Sequence, residues 1–135
     1  TDGHLITEHL VKENVPIAVG PSLVHASKYE LRNRTFETPG ILSKAGCQVS
    51  IITDSPVIPQ QYLALCAGLA VKSGMDKYEA LKAITINAAK HLGVEDRVGS
   101  LEAGKDADIL LATGDIFDLE TLLAAVYING VKVEA

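Results

Sequence analysis

Gln48-Val49-Ser50-Ile51-Ile52-Thr53, running straight into Asp54-Ser55-Pro56, is the stretch that decides the fold. Its uncharged, largely β-branched run, closed by an Asp-Ser-Pro turn, reads as a short strand buried on both faces. A run of the same kind lies upstream, Val15-Pro16-Ile17-Ala18-Val19, and Gly20-Pro21-Ser22 breaks it. Between the two come a polar, basic loop from His25 to Thr38 and the segment Pro39-Gly40-Ile41-Leu42-Ser43-Lys44-Ala45. Proline near the start and Gly46 just past the end punctuate that segment as a helix. Leu5 to Lys12 carries Leu5, Ile6, Leu10 and Val11 at helical spacing and is expected to end near Asn14. Helix, strand, loop, helix and strand, with both strands mostly apolar, is the pattern of a parallel βαβ crossover in a sheet covered on both faces. The expected fold class is therefore α/β.

Downstream, Pro59 to Ser73 is predicted to be a helix with Tyr62, Leu65, Cys66 and Leu69 on its buried face and Gly74 closing it. Asp76 with Glu79 resembles a capping box. It would start a helix with Leu81, Ile84 and Ala88 buried, breaking near Thr85 or Asn87. From Gly99 the texture changes. Ala107 to Ala112 reads as a strand, and Val126-Tyr127-Ile128 and Val131-Lys132-Val133 flank Asn129-Gly130, a type I′ hairpin signal. The composition shift over 97–104 suggests a boundary between a parallel α/β part, 1–96, and terminal antiparallel strands, 97–135.

The 135 residues can enclose a core but fall short of the roughly 250 that a closed (β/α)8 barrel usually takes. The net charge of -5 arises from acidic residues scattered along the chain, which argues against nucleic acid as a partner. Cys47 and Cys66 stand in apolar surroundings without a CxxC pair and are expected to be reduced packing residues. The longest apolar stretch, Tyr62 to Val71, is too short to span a bilayer, and no leader pattern is seen, so a soluble cytoplasmic protein without a membrane partner is expected.

Asp54 is the residue that physical argument singles out. A carboxylate at the C-terminal end of a buried parallel strand lies on the rim where α/β folds place their active sites. A buried carboxylate needs hydrogen-bond donors or a cation; a turn or helix cap at a strand exit is the plainer alternative. The exit at Gly20-Pro21-Ser22 opens on the same rim, which makes Ser22, His25 and Lys28 candidates for substrate contacts, as loops at this rim often are. The competing reading makes the loop a solvated one, kept wet by Lys28, Glu30, Arg32 and Arg34. His4 precedes the first helix and is a further candidate for the rim. His9 stands five residues on, a spacing unlike the i, i+4 pair of a zinc helix, and His9 and His91 are expected at the surface.

Asn87-Ala-Ala-Lys-His-Leu-Gly93, followed by Arg97-Val-Gly-Ser-Leu-Glu-Ala-Gly-Lys-Asp-Ala-Asp-Ile-Leu110, resembles a sequence near the end of many metal-dependent amidohydrolases, in particular the imidazolonepropionase-like group. The likeness extends over essentially the whole chain, strongly in the second half and more diffusely before it. It implies that Gln48 to Asp54 is the last strand of a (β/α)8 barrel. Val15 to Ser22 would then be the seventh strand and Thr1 to Ile6 the loop and helix start after the sixth. The C-terminal hairpin would belong to a β-sandwich.

The resemblance also implies that Asp54 binds the catalytic metal, zinc or another divalent ion. In such enzymes the metal lowers the pKa of a bound water, and the aspartate moves its proton to the leaving nitrogen. The family's remaining ligands would lie upstream of Thr1, so this chain supplies one ligand and is expected to bind no metal and to be inactive alone. The implied substrates are small amide-type molecules: cyclic amides, imidazolones or dipeptide-like compounds. The alternative is a non-catalytic α/β module that self-associates. Two strands without barrel neighbours leave open edges, so the expected partner is either a second copy or the missing N-terminal barrel part.

Overall fold

The computed structural model describes residues 2–133. Thr1, at the head of the expected loop after the sixth strand, and residues 134–135, at the end of the expected terminal part, lie outside the described residues. A 3-10 turn, Gly3–Ile6, leads into helix α1, Thr7–Glu13, which Asn14 ends in the left-handed conformation with its N–H on the Val11 carbonyl. Strand β1, Ile17–Val19, then crosses through a 3-10 turn at Tyr29–Leu31 and helix α2, Thr38–Lys44, to strand β2, Val49–Ile51. The two strands pair in parallel, Ile17 opposite Val49, Ala18 opposite Ser50 and Val19 opposite Ile51, as the crossover pattern predicts.

Every residue of β2 is buried, because helices pack against it from several sides: α2, then α3 (Leu63–Lys72), α4 (Lys77–Ala83) and α5 (Ile86–Leu92). β1 departs from expectation. Ile17 and Val19 are half-buried and Ala18 is exposed. Among the described residues β1 has a strand neighbour on one edge only.

The helices bury different faces from those that their largest side chains suggest. On α3 the buried residues are Cys66, Ala67 and Ala70, with Leu63 and Val71 packed beside them, whereas Tyr62 is exposed. On α4 they are Ala80 and Ala83, and Leu81 is exposed. These helices approach β2 and each other through alanine. Small side chains at the contact let the helix surfaces close to packing distance, and the leucines are displaced to the flanks. The shared core joins these alanines to Ile51, Ile58, Cys66 and Met75.

Asp76 caps α4 through Oδ1, which accepts from the Tyr78 and Glu79 amides at 2.9 and 3.0 Å. Glu79 turns forward to Lys82 at 2.7 Å instead of completing a capping box. The helix breaks at Thr85, as expected, and α5 buries Ala89 rather than Ala88. Asn87 Nδ2 donates to the Val49 carbonyl at 3.0 Å and ties α5 to β2.

The remaining strands, β3 (Ile109–Ala112), β4 (Leu123–Ile128) and β5 (Val131–Lys132), form a separate antiparallel sheet in the order β3-β4-β5. Asn129 and Gly130 both have positive φ, as a type I′ turn requires. The segment between β3 and β4 docks back on the helices. Phe117 packs on the core and Asp115 pairs with Lys77 at the start of α4. Among the described residues no helix is long and apolar enough to cross a membrane.

Candidate active site

The parallel register brings the ends of β1 and β2 to one rim. The ladder continues one step past β2 through the Ile52 N–H, which donates to the Val19 carbonyl at 3.0 Å. Gly20 then passes directly against Ile52. A Cβ there would lie 2.9 Å from Ile52 Cγ1 and closer still to the Ile52 carbonyl oxygen. The two strand exits, Gly20-Pro21-Ser22 and Thr53-Asp54-Ser55, are therefore in immediate contact.

Asp54 sits in the left-handed region, φ 54°, and its carbonyl accepts from Val57 N–H at 2.9 Å in a tight turn. Thr53 just before it is buried, but Asp54 is exposed, and among the described residues nothing donates to its carboxylate. Asp54 thus stands exposed in the turn that follows a buried strand. The strand is buried, and the turn after it carries the aspartate clear of the core.

Ser22 is buried, and its carbonyl accepts from Arg34 Nη1. Arg34 is not the solvated loop charge that the sequence suggests: its Nε is buried, with no hydrogen-bond partner. Arg34 lines a cavity of about 30 Å³ with Val19, Gly20, Pro21, Ser22, Thr35 and Thr38. His4 adjoins it, its Nδ1 3.1 Å from Thr38 Oγ1. The fold therefore brings Ser22 to Arg34, which nothing local in the sequence distinguishes from Arg32, and His4 to Thr38. His25 and Lys28 are exposed and line no part of this cavity. His9 and His91 are exposed on their helices. Cys47 and Cys66 are free thiols, and burial raises the pKa of both.

A divalent metal needs about three or more protein donors. Among the described residues no three His, Cys, Asp or Glu side chains gather into such a set. Asp54 belongs to no such set, so the described residues do not by themselves fit a metal centre.

A βαβ crossover buried under helices, with a carboxylate presented at the exit of its second strand, defines an α/β protein of the rim-site kind. Residues 2–133 match the model of the amidohydrolase family, and the chain belongs to that family. It is 42% identical over 88 residues to the imidazolonepropionase of Thermoplasma volcanium and 39% identical over 95 residues to that of Syntrophobacter fumaroxidans. Those alignments cover 62% and 68% of this chain but 21% and 22% of the relatives, so the chain spans about a fifth of the curated relatives it matches. The crystal structure of an amidohydrolase from Thermotoga maritima superposes with a TM-score of 0.95 at 40% identity, over 99% of this chain and 35% of that one.

Proposed function

We propose that the chain is the C-terminal part of a metal-dependent hydrolase of C–N bonds. In this reading residues 1–96 are the last units of a (β/α)8 barrel and residues 97–135 strands of a β-sandwich. The observation that carries the reading is Asp54, an unpaired carboxylate at the exit of a buried parallel strand in a chain of the amidohydrolase family. The likeness to imidazolonepropionases supports small amide-type substrates: cyclic amides, imidazolones or dipeptide-like compounds.

Asp54 is given two roles, as one ligand of a zinc or other divalent ion whose remaining ligands come from outside this chain, and as the proton carrier. An Asp54 oxygen takes the proton of the attacking water as the new C–O bond forms, and returns it to the nitrogen as the C–N bond breaks. Ser22, His25, Lys28 and His4 are proposed to face the substrate across the same rim, with Ser22 held against Arg34 and His4 against Thr38. The piece alone is proposed to be inactive, in keeping with its lone donor. In the full-length enzyme, Asp54→Ala is expected to lower kcat by about 10²-fold or more, as loss of a general base does. Turnover within a few-fold of the unmodified enzyme would remove Asp54 from the mechanism.

A second reading, self-association without catalysis, draws on the exposed apolar residues of the N-terminal segment: Leu5, Ile6, Val11 and Val15. Light scattering of the isolated chain tests it. A dimer or larger species is expected, and a monomer at high concentration would overturn it.

A further inference from the structure

We propose that Asn129-Gly130 is a latent deamidation site, closed by the folded hairpin and converted to isoaspartate only when the hairpin opens. The inference is independent of the hydrolase reading. Asparagine followed by glycine is the arrangement in which the backbone most readily attacks a side chain, because glycine has no Cβ to obstruct the approach of its nitrogen. Of the four asparagines only Asn129 precedes glycine; Val15, Arg34 and Ala88 follow the other three. Both residues of the pair are exposed. In the reaction the Gly130 nitrogen gives up its proton and bonds to Asn129 Cγ, and the side-chain nitrogen leaves as ammonia. Water then opens the cyclic imide. Breaking its new bond to Cγ leaves aspartate, and breaking the original peptide bond leaves isoaspartate. One water enters for each ammonia lost.

The folded turn blocks the first step twice. At φ 50° Asn129 occupies the left-handed region, the region of positive φ open to a residue with a side chain. There ψ lies at about +30° to +60°, which sets the Gly130 nitrogen nearly anti to the Asn129 Cβ across the Cα–C bond. Ring closure requires the two to be eclipsed, roughly half a turn away. The nucleophile is also engaged, since the Gly130 N–H donates to the Ala107 carbonyl at 3.0 Å. The Asn129 N–H donates to Asp108 Oδ1 at 2.8 Å, so both amides of the turn are tied to the residues just before β3. Rotating the peptide bond between Asn129 and Gly130 into the reactive position breaks the tie to Ala107. β5 is two residues long and forms the edge of its sheet, which puts its opening among the less costly local motions.

The product makes an opening permanent. Isoaspartate adds a carbon to the backbone, and the Gly130 tie to Ala107 and the Ile128–Val131 pairing can no longer form together. Aspartate suits a type I′ turn but brings a second carboxylate beside Asp108.

The test incubates the chain at mildly alkaline pH, folded in buffer and unfolded in guanidinium chloride, with circular dichroism reporting the fold. Peptide mass spectrometry reads conversion at each asparagine, and enzymatic methylation reads isoaspartate. Conversion is expected at Asn129 ahead of Asn14, Asn33 and Asn87, and about tenfold or more slower in the folded chain than in the unfolded one. Asp108→Ala removes the acceptor of the Asn129 N–H and should speed conversion in the folded chain about tenfold, whereas Asp108→Asn, which keeps an acceptor oxygen, should stay near wild type. Equal rates in folded and unfolded wild type would overturn the closure. Absence of isoaspartate at residue 129 in guanidinium chloride would overturn the site. A variant that fails to fold converts at the unfolded rate, and the wild-type comparison then decides alone.

Discussion

Replacing Gly20 by alanine tests the geometry on which the candidate site depends. Gly20 has φ +155°, and an added Cβ would meet Ile52 Cγ1 at 2.9 Å, against an optimum of about 3.5–4.0 Å for carbon pairs. The Ile52 carbonyl oxygen lies closer still, and as backbone it cannot turn aside. Relief requires the exits of β1 and β2 to separate, which breaks the 3.0 Å bond from Ile52 N–H to the Val19 carbonyl. Strained backbone costs about 1–3 kcal/mol, and leaving that pair unmade costs about 1–3 kcal/mol more. A loss near 3 kcal/mol at an m value of about 1.5 kcal/mol per molar lowers the urea midpoint by about 2 M. Gly46→Ala is the control, because Gly46 also has positive φ, +98°, but open space around its Cβ position. It should lose only the backbone contribution. Urea titration followed by circular dichroism measures both, and a Gly20 variant no less stable than the Gly46 variant would refute the close apposition of the two exits.

Asn87→Ala should destabilise the chain by about 1–3 kcal/mol, since it removes the donor to the part-buried Val49 carbonyl. A urea midpoint equal to wild type would show that this tie carries no stability. Asp115 has its pKa lowered by the hydrogen bond from Lys77 and then by the Phe117 N–H. A carboxylate whose folded pKa lies below its unfolded value contributes stability above the unfolded pKa and loses it as pH falls through the folded one. Asp115→Asn should therefore flatten the acid limb of the stability profile while changing its shape near neutrality little. An acid limb of unchanged slope would sink that assignment.

Much of the architecture is legible in local pattern. The two β-branched runs gave the parallel pair, Pro39 and Gly46 the limits of α2, and Asn129-Gly130 the terminal hairpin. The motif from Asn87 to Leu110 carried the family, because it is a continuous stretch that can be recognised without knowing what it touches. The candidate site was legible only in outline. The position of Asp54 after a strand can be counted along the chain; whether its carboxylate is buried depends on a turn with φ 54° and on the neighbours that are present.

Short-range periodicity, turn chemistry and a continuous motif were enough to set the order and type of the elements and the family. Tertiary structure alone decided which faces are buried. Ala67, Ala80 and Ala83 lie in the core while Tyr62 and Leu81 are exposed, because closeness of approach between helices, and not hydrophobicity at one position, selects the contact. It also turned Arg34 inward and left Arg32 out on Tyr29. Two arginines in one polar loop are equivalent along the chain, and they become different only where Ser22, twelve residues away, closes over one of them.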